Sequence, residues 1–185
     1  MRKNFGVKSW FYPQPVLIIA TYDENGSPDA MNAAWGGLYD GNKVELCLSA
    51  GHKTTKNIRA VGAFTVSFAD AANLVASDYV GLASANTEPK KMEKSGFHLT
   101  KSQFVNAPLI DELPVAMECK LVKINEDGNV IGEIVNVSAD ESVLGEDGNI
   151  DFSKFRPISF EPVHNGYHVL GQRVGNAFQD GAALK

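Results

Sequence analysis

Asx-Gly dipeptides punctuate this chain between short apolar runs, and that pattern restricts its fold more than any other feature. Asn25-Gly26 follows the run Val16–Asp23 and precedes Pro28–Ala33. A two-residue hairpin turn needs positive φ, which Asn and Gly reach at least cost, so these two runs pair antiparallel. Asp40-Gly41-Asn42 leads into a strand over Lys43–Ser49. Asp127-Gly128 joins a long strand, Leu113–Ile124, to Val130–Ala139. Asp147-Gly148 marks a further turn before a short strand at Ile158–Glu161. Antiparallel strands joined this way, with short helices between, predict a mainly β (α+β) fold closed wholly or partly into a barrel.

The first strand adds a constraint. Val16, Ile18 and Ala20 fall on one face, and Leu17 and Ile19 on the other. A strand wet on one side alternates apolar with polar, so this one is covered on both. The cover is either helices or a second copy of the chain. In Leu113–Ile124, Val115, Met117, Cys119 and Leu121 are expected to face inward, with Glu118 and Lys120 outward. In Val130–Ala139, Ile131, Val135 and Val137 share a face. Helices are expected over Thr54–Val61, ended by Gly62, over Asn73–Ala83 and over Glu88–Lys94. Residues 1–14 read as an irregular arm whose Trp10, Phe11 and Tyr12 pack against something, and the glycine-rich tail as extended chain.

Composition narrows the function classes. The 185 residues fit one domain with a proper core. A net charge of -5 disfavours nucleic acid, which selects basic faces. No apolar run approaches the ~20 residues of a membrane helix, and Val16–Ala20 is too short for a signal-peptide core, so a cytoplasmic location is expected. Cys47 and Cys119 each sit in an expected strand, far apart, and read as buried thiols. His52, His98, His164 and His168 come with no acidic or cysteine cluster to complete a metal site, so no metal is expected.

The stretch Asp29–Val61 carries the chemistry. Asn32-Ala33-Ala34-Trp35-Gly36-Gly37 reads as a bend where backbone can press against a flat ligand, with Trp35 either a core aromatic, the usual reading near strands, or the ligand's wall. Gly51-His52-Lys53-Thr54-Thr55 opens a helix with a cation, two hydroxyls and first-turn N–H groups, which suits a phosphate. It is no P-loop, since the required glycine spacing is missing, and no G-x-G-x-x-G occurs. On residue types alone, an ordinary capped helix accounts for it equally well.

Thr21-Tyr22-Asp23, Gly26-Ser27-Pro28-Asp29, Met31 to Gly37, Lys53-Thr54-Thr55, Asn57-Ile58 and Asp78-Tyr79-Val80-Gly81-Leu82 together resemble the flavin reductase-like FMN-binding split-barrel family. The likeness continues through Arg156-Pro157-Ile158 and Gly166-Tyr167. It implies one Greek-key antiparallel split-barrel domain over 1–185, a homodimer, and noncovalent FMN near the subunit interface. It implies the loop Asn32, Ala33, Ala34 and Trp35 beside the flavin ring, Lys53, Thr54 and Thr55 on the phosphate side, a ligand-facing Lys91, and Met31, Ser49 and His52 as further cofactor-binding residues. The implied activity is an oxidoreductase that passes electrons through FMN from NAD(P)H or a redox protein. The sequence departs from the family in two places. The late hairpin, Asn125–Glu133, has no histidine, and the Gly-Asp-His-type motif of dedicated NAD(P)H:flavin reductases is missing. Both departures point away from direct NAD(P)H oxidation. A second class stays open: a non-catalytic module on the same barrel that binds flavin or haem.

Overall fold

Twelve strands and three α-helices make up the computed structural model, which describes residues 1–185. In chain order the strands are β1 (Gln14–Pro15), β2 (Leu17–Tyr22), β3 (Pro28–Ala33), β4 (Gly36–Asp40), β5 (Lys43–Leu46), β6 (Ala63–Phe68), β7 (Leu99–Lys101), β8 (Pro108–Ile110), β9 (Val115–Ile124), β10 (Val130–Ala139), β11 (Ile158–Glu161) and β12 (Gly166–Val169). The helices are α1 (Lys53–Val61), α2 (Leu74–Leu82) and α3 (Lys91–Ser95).

Seven strands form one antiparallel sheet in the order β3-β2-β6-β9-β10-β5-β4. In a flat sheet the outermost strands, β3 and β4, would lie about 29 Å apart, at ~4.8 Å per strand. The chain joins them through Ala34 and Trp35 alone, a link that reaches roughly 10 Å. The sheet therefore has to curl until its edges meet, and the result is an antiparallel split barrel. Irregular register at Ile131/Gly132 and Ile134/Asn136 in β10, and at Leu38/Asp40 beside β5, gives the strands the bends this closure needs. After α1, β6 returns to pair with β2, the Greek-key connection.

Two apolar clusters explain the doubly apolar first strand. Leu17 and Ile19 join Leu46, Phe64, Val66, Cys119, Val130 and Ile58 of α1 inside the curl. Val16, Ile18 and Ala20 pack outside it with Val80 of α2, Phe97, Ile110, Leu113 and Ile158. The chain thus covers both faces of β2 itself, without a second copy.

Several expected faces and bounds differ. The bend at Asn32–Gly37 shrinks to two residues: Asn32 and Ala33 belong to β3, Gly36 and Gly37 to β4. Glu118 is 1% exposed. The β7–β8 hairpin, which no strand signal announced, covers that face of the sheet. Ser102 in its loop donates to the Glu118 carboxylate, and Asn136 Nδ2 donates at 2.6 Å. Val137, by contrast, is exposed. Cys119 is buried, its thiol pushed up to about 12 by burial and then by the neighbouring Glu118. Cys47 lies beyond the end of β5 and is exposed.

Candidate ligand site

The site is assembled from the Asn25-Gly26 hairpin, the start of α1 and the C-terminal end of α2. In the hairpin, Asp23 Oδ1 accepts the N–H groups of Asn25 and Ser27, both at 2.9 Å. Its other oxygen, Oδ2, accepts from Lys53 Nζ at 3.2 Å. The Ser27 N–H, opposed by partial burial and helped by Lys53, holds the Asp23 carboxyl below the usual carboxylate range.

Further along β3, Asp29 is fully enclosed. Its Oδ2 accepts from Thr54 Oγ1 at 2.5 Å, and its Oδ1 from Lys91 Nζ at 3.2 Å. Lys91 is itself buried, so a charge pair lies beneath the site wholly out of water. A buried pair is tolerated only with close geometry and further hydrogen bonds, and Thr54 supplies one of these.

Helix α1 starts at Lys53. His52 is extended at φ -64, ψ 141 and gives no side-chain cap, and the first turn holds no acid. Its first-turn N–H groups, which carry the positive end of the helix dipole, are left without a capping side chain. Asn57 Nδ2 donates to Thr21 Oγ1 at 3.0 Å and fixes α1 on β2. The loop after α2 is tied to α1 by Lys56 Nζ on Asn86 Oδ1 at 3.2 Å and by Asn86 Nδ2 on the Gly51 carbonyl at 3.1 Å. Helix α2 rides close on β3: a Cβ at Gly81 would come within 2.9 Å of Asn32 Cβ. Asn32 Nδ2 donates to the Ser77 carbonyl at 3.0 Å. Tyr167 OH donates to Asp78 Oδ1 at 2.8 Å, and burial, then that bond, pushes the phenol up to about 12. Tyr167 is thus a fixed neutral donor clamping α2.

These elements enclose a cavity of about 210 Å³. Of the residues singled out in the sequence, Met31, Asn32, His52, Lys53, Thr54 and Lys91 line it together. Others do not. Ala34 and Trp35 line a separate hollow of about 340 Å³, beside Phe11, Gln14 and Cys47. Trp35 is 59% exposed there, so it is not a core residue. Ala33 packs on the barrel interior. Ser49 is exposed, and its carbonyl accepts the His52 N–H at 3.1 Å. Thr55 is buried with its hydroxyl unpartnered and lines neither hollow. Sequence reasoning missed Asp23 and Asp29 as site members, although a lone acid between Pro28 and Ala30 in a strand is itself a signal. It also missed the wall formed by Val80 to Ala85.

With that geometry in place, the chain can be set beside known proteins. Residues 9–159 match the domain described as flavin reductase like. The chain belongs to the flavin reductase-like family. Among solved structures, flavoredoxin of Desulfovibrio vulgaris (Miyazaki F) is similar at a TM-score of 0.94, with 34% identity, covering 98% of this chain and 100% of that one. A flavoredoxin from Methanosarcina acetivorans aligns at 0.89 with 26% identity, over 100% of both chains. An FMN-binding domain of a flavin reductase-like enzyme from Shewanella baltica aligns at 0.78 with 21% identity over 88% of this chain and 89% of that one, and so shares the fold. An uncharacterized protein of Aquifex aeolicus is 35% identical over 74 residues, and that match spans 38% of each protein. No helix of this chain is long and apolar enough to cross a membrane.

Proposed function

We propose that this chain, as one cytoplasmic domain over 1–185, binds FMN noncovalently and passes electrons through it, acting as a homodimer. The observation that carries the reading is the uncapped start of α1, with Lys53 as its first residue, opening on a cavity that reaches Asn32 on β3. The donor set suits a phosphate monoester: first-turn N–H groups and Lys53, above the enclosed Lys91–Asp29 pair, in a chain whose family is flavin reductase-like.

When bound, FMN supplies the electron chemistry, and the chain supplies position and electrostatics. Lys53 and the N–H groups of Lys53, Thr54 and Thr55 hold the phosphate. Lys91, fixed by Asp29, adds a cation that does not move. Asn32, steadied by the Ser77 carbonyl, together with Met31 and the neighbouring amides, hydrogen-bonds and walls the ring. Trp35 and Ala34 border the ring from the second hollow. The electron donor is NAD(P)H or a redox protein, and the late hairpin, which has no histidine, favours the redox protein.

An absorbance spectrum of the purified protein tests this, followed by titration of the stripped protein with FMN and riboflavin. We expect a yellow protein that NADH bleaches slowly and dithionite bleaches at once. FMN is expected to bind at least tenfold tighter than riboflavin, about 1.4 kcal/mol. Rapid bleaching by NADH reassigns the donor. Flavin that no donor reduces supports a binding module. A colourless protein that takes up neither flavin sinks the proposal.

A further inference from the structure

The two lysines of the cavity are held in different ways. The Lys91–Asp29 pair is sealed, with side chains 3% and 2% exposed, and Thr54 occupies the other Asp29 oxygen. Neither partner has room to leave. The Lys53–Asp23 pair is 31% and 16% exposed, and Lys53 makes one bond in it. Asp23 is anchored from the other side by the Asn25 and Ser27 N–H groups, so the carboxylate stays with the turn. Lys53 has a flexible four-carbon stem and lines the cavity, whereas Asp23 does not.

We infer that Asp23 is a built-in competitor that takes the place of the ligand's anion at Lys53 and so sets how tightly the site holds a phosphate monoester. The inference rests on the flavin reading and extends it. Binding becomes an exchange: Lys53 releases Asp23 and turns to the phosphate, and Asp23 is left to water and its two N–H donors. Part of the favourable contact between Lys53 and the ligand is offset by the contact it gives up. Asp23 and the phosphate also repel each other across the mouth of the cavity.

The test is Asp23→Asn, which keeps an Oδ1 acceptor for Asn25 and Ser27 and removes the charge. Asp23→Ser, another turn-compatible residue, is the second variant. Both are titrated with FMN and with riboflavin, alone and combined with Lys53→Met. The expected result is FMN binding about threefold to tenfold tighter in either Asp23 variant, with riboflavin unchanged. The gain should vanish in the Lys53→Met background. FMN affinity that is unchanged or weaker in both variants overturns the inference while leaving the flavin reading intact. So does a gain that survives Lys53→Met. If wild type and variants bind neither flavin, the flavin reading falls and this inference falls with it.

Discussion

Lys91 is the one buried lysine of the chain, and it owes its place to Asp29. Removing one member of a buried pair leaves the other charge enclosed without a partner, which costs about 3–5 kcal/mol. Lys91→Met keeps most of the aliphatic stem and deletes the cation, so it is expected to lower stability to urea by roughly 3 kcal/mol. Adding Asp29→Asn should restore part of the loss, because no charge is then stranded. A loss under ~1 kcal/mol in the single variant would mean that the pair holds nothing together. This residue also marks how far the sequence could be read. The family likeness pointed Lys91 at a ligand, and it does line the cavity. That its ammonium is spent on Asp29 depends on β3 and α3 meeting, and no local pattern announces a contact between residues so far apart in the chain. Thr54 shows the same gap: its hydroxyl was expected on a phosphate and sits on a carboxylate.

Among the elements, those next to strong turn chemistry were the most legible, although β2 and β5 are shorter than expected, at Leu17–Tyr22 and Lys43–Leu46. Asn25-Gly26 fixed β3 as Pro28–Ala33, and Asp127-Gly128 fixed the start of β10. Gly62, at φ 73, ends α1 where the sequence placed it. The β7–β8 hairpin was not legible, because its strands are three residues each and one begins with Pro108. Without that cover Glu118 reads as a solvent residue, and the error follows from the missed element. Gly36-Gly37 read as a bend because two glycines suit a turn. Gly36 is in fact a close approach, where a Cβ would come within 2.8 Å of Leu46 Cδ2 and 3.1 Å of Leu17 Cδ1. Gly132 is tighter still. A Cβ there would come within 2.3 Å of Phe64 Cζ, a ring that fills the barrel. Gly132→Ala overpacks β10 against β6 and is expected to cost about 1–3 kcal/mol, read as a lower midpoint in denaturant melts. Pairing it with Phe64→Leu should recover part of that loss. A neutral Gly132→Ala would mean that the ring has somewhere else to go.

For the molecule as a whole, the surface that calls for a second copy lies away from β2. The doubly apolar first strand no longer demands one, because the chain buries both of its faces. The demand comes instead from the two ends. Phe5, Val7, Phe11 and Tyr12 of the arm are exposed, as are Val174, Phe178 and Leu184 of the tail, and Trp35, Leu38 and Tyr39 add to the surface next to the arm. Apolar surface on this scale marks an interaction site. Light scattering at micromolar concentration should therefore report twice the 20.0 kDa chain mass. Removal of residues 1–11 should shift it toward the single mass. A full-length protein that scatters as one chain would end the dimer proposal.

The link through Ala34 and Trp35 also has a thermodynamic meaning. It is the seam of the barrel: Asn32, just before it in β3, lines the cavity, and Ala34 and Trp35 line the neighbouring hollow. A group lodged on either side cannot be indifferent to how far the sheet's edges stand apart. Occupancy and closure become two readings of one equilibrium: whatever draws β3 and β4 together favours the ligand that fits between them. A ligand too thick for the seam would have to work against every rung of the ladder from β3 round to β4. Selectivity for a thin, flat molecule would then belong to the whole sheet.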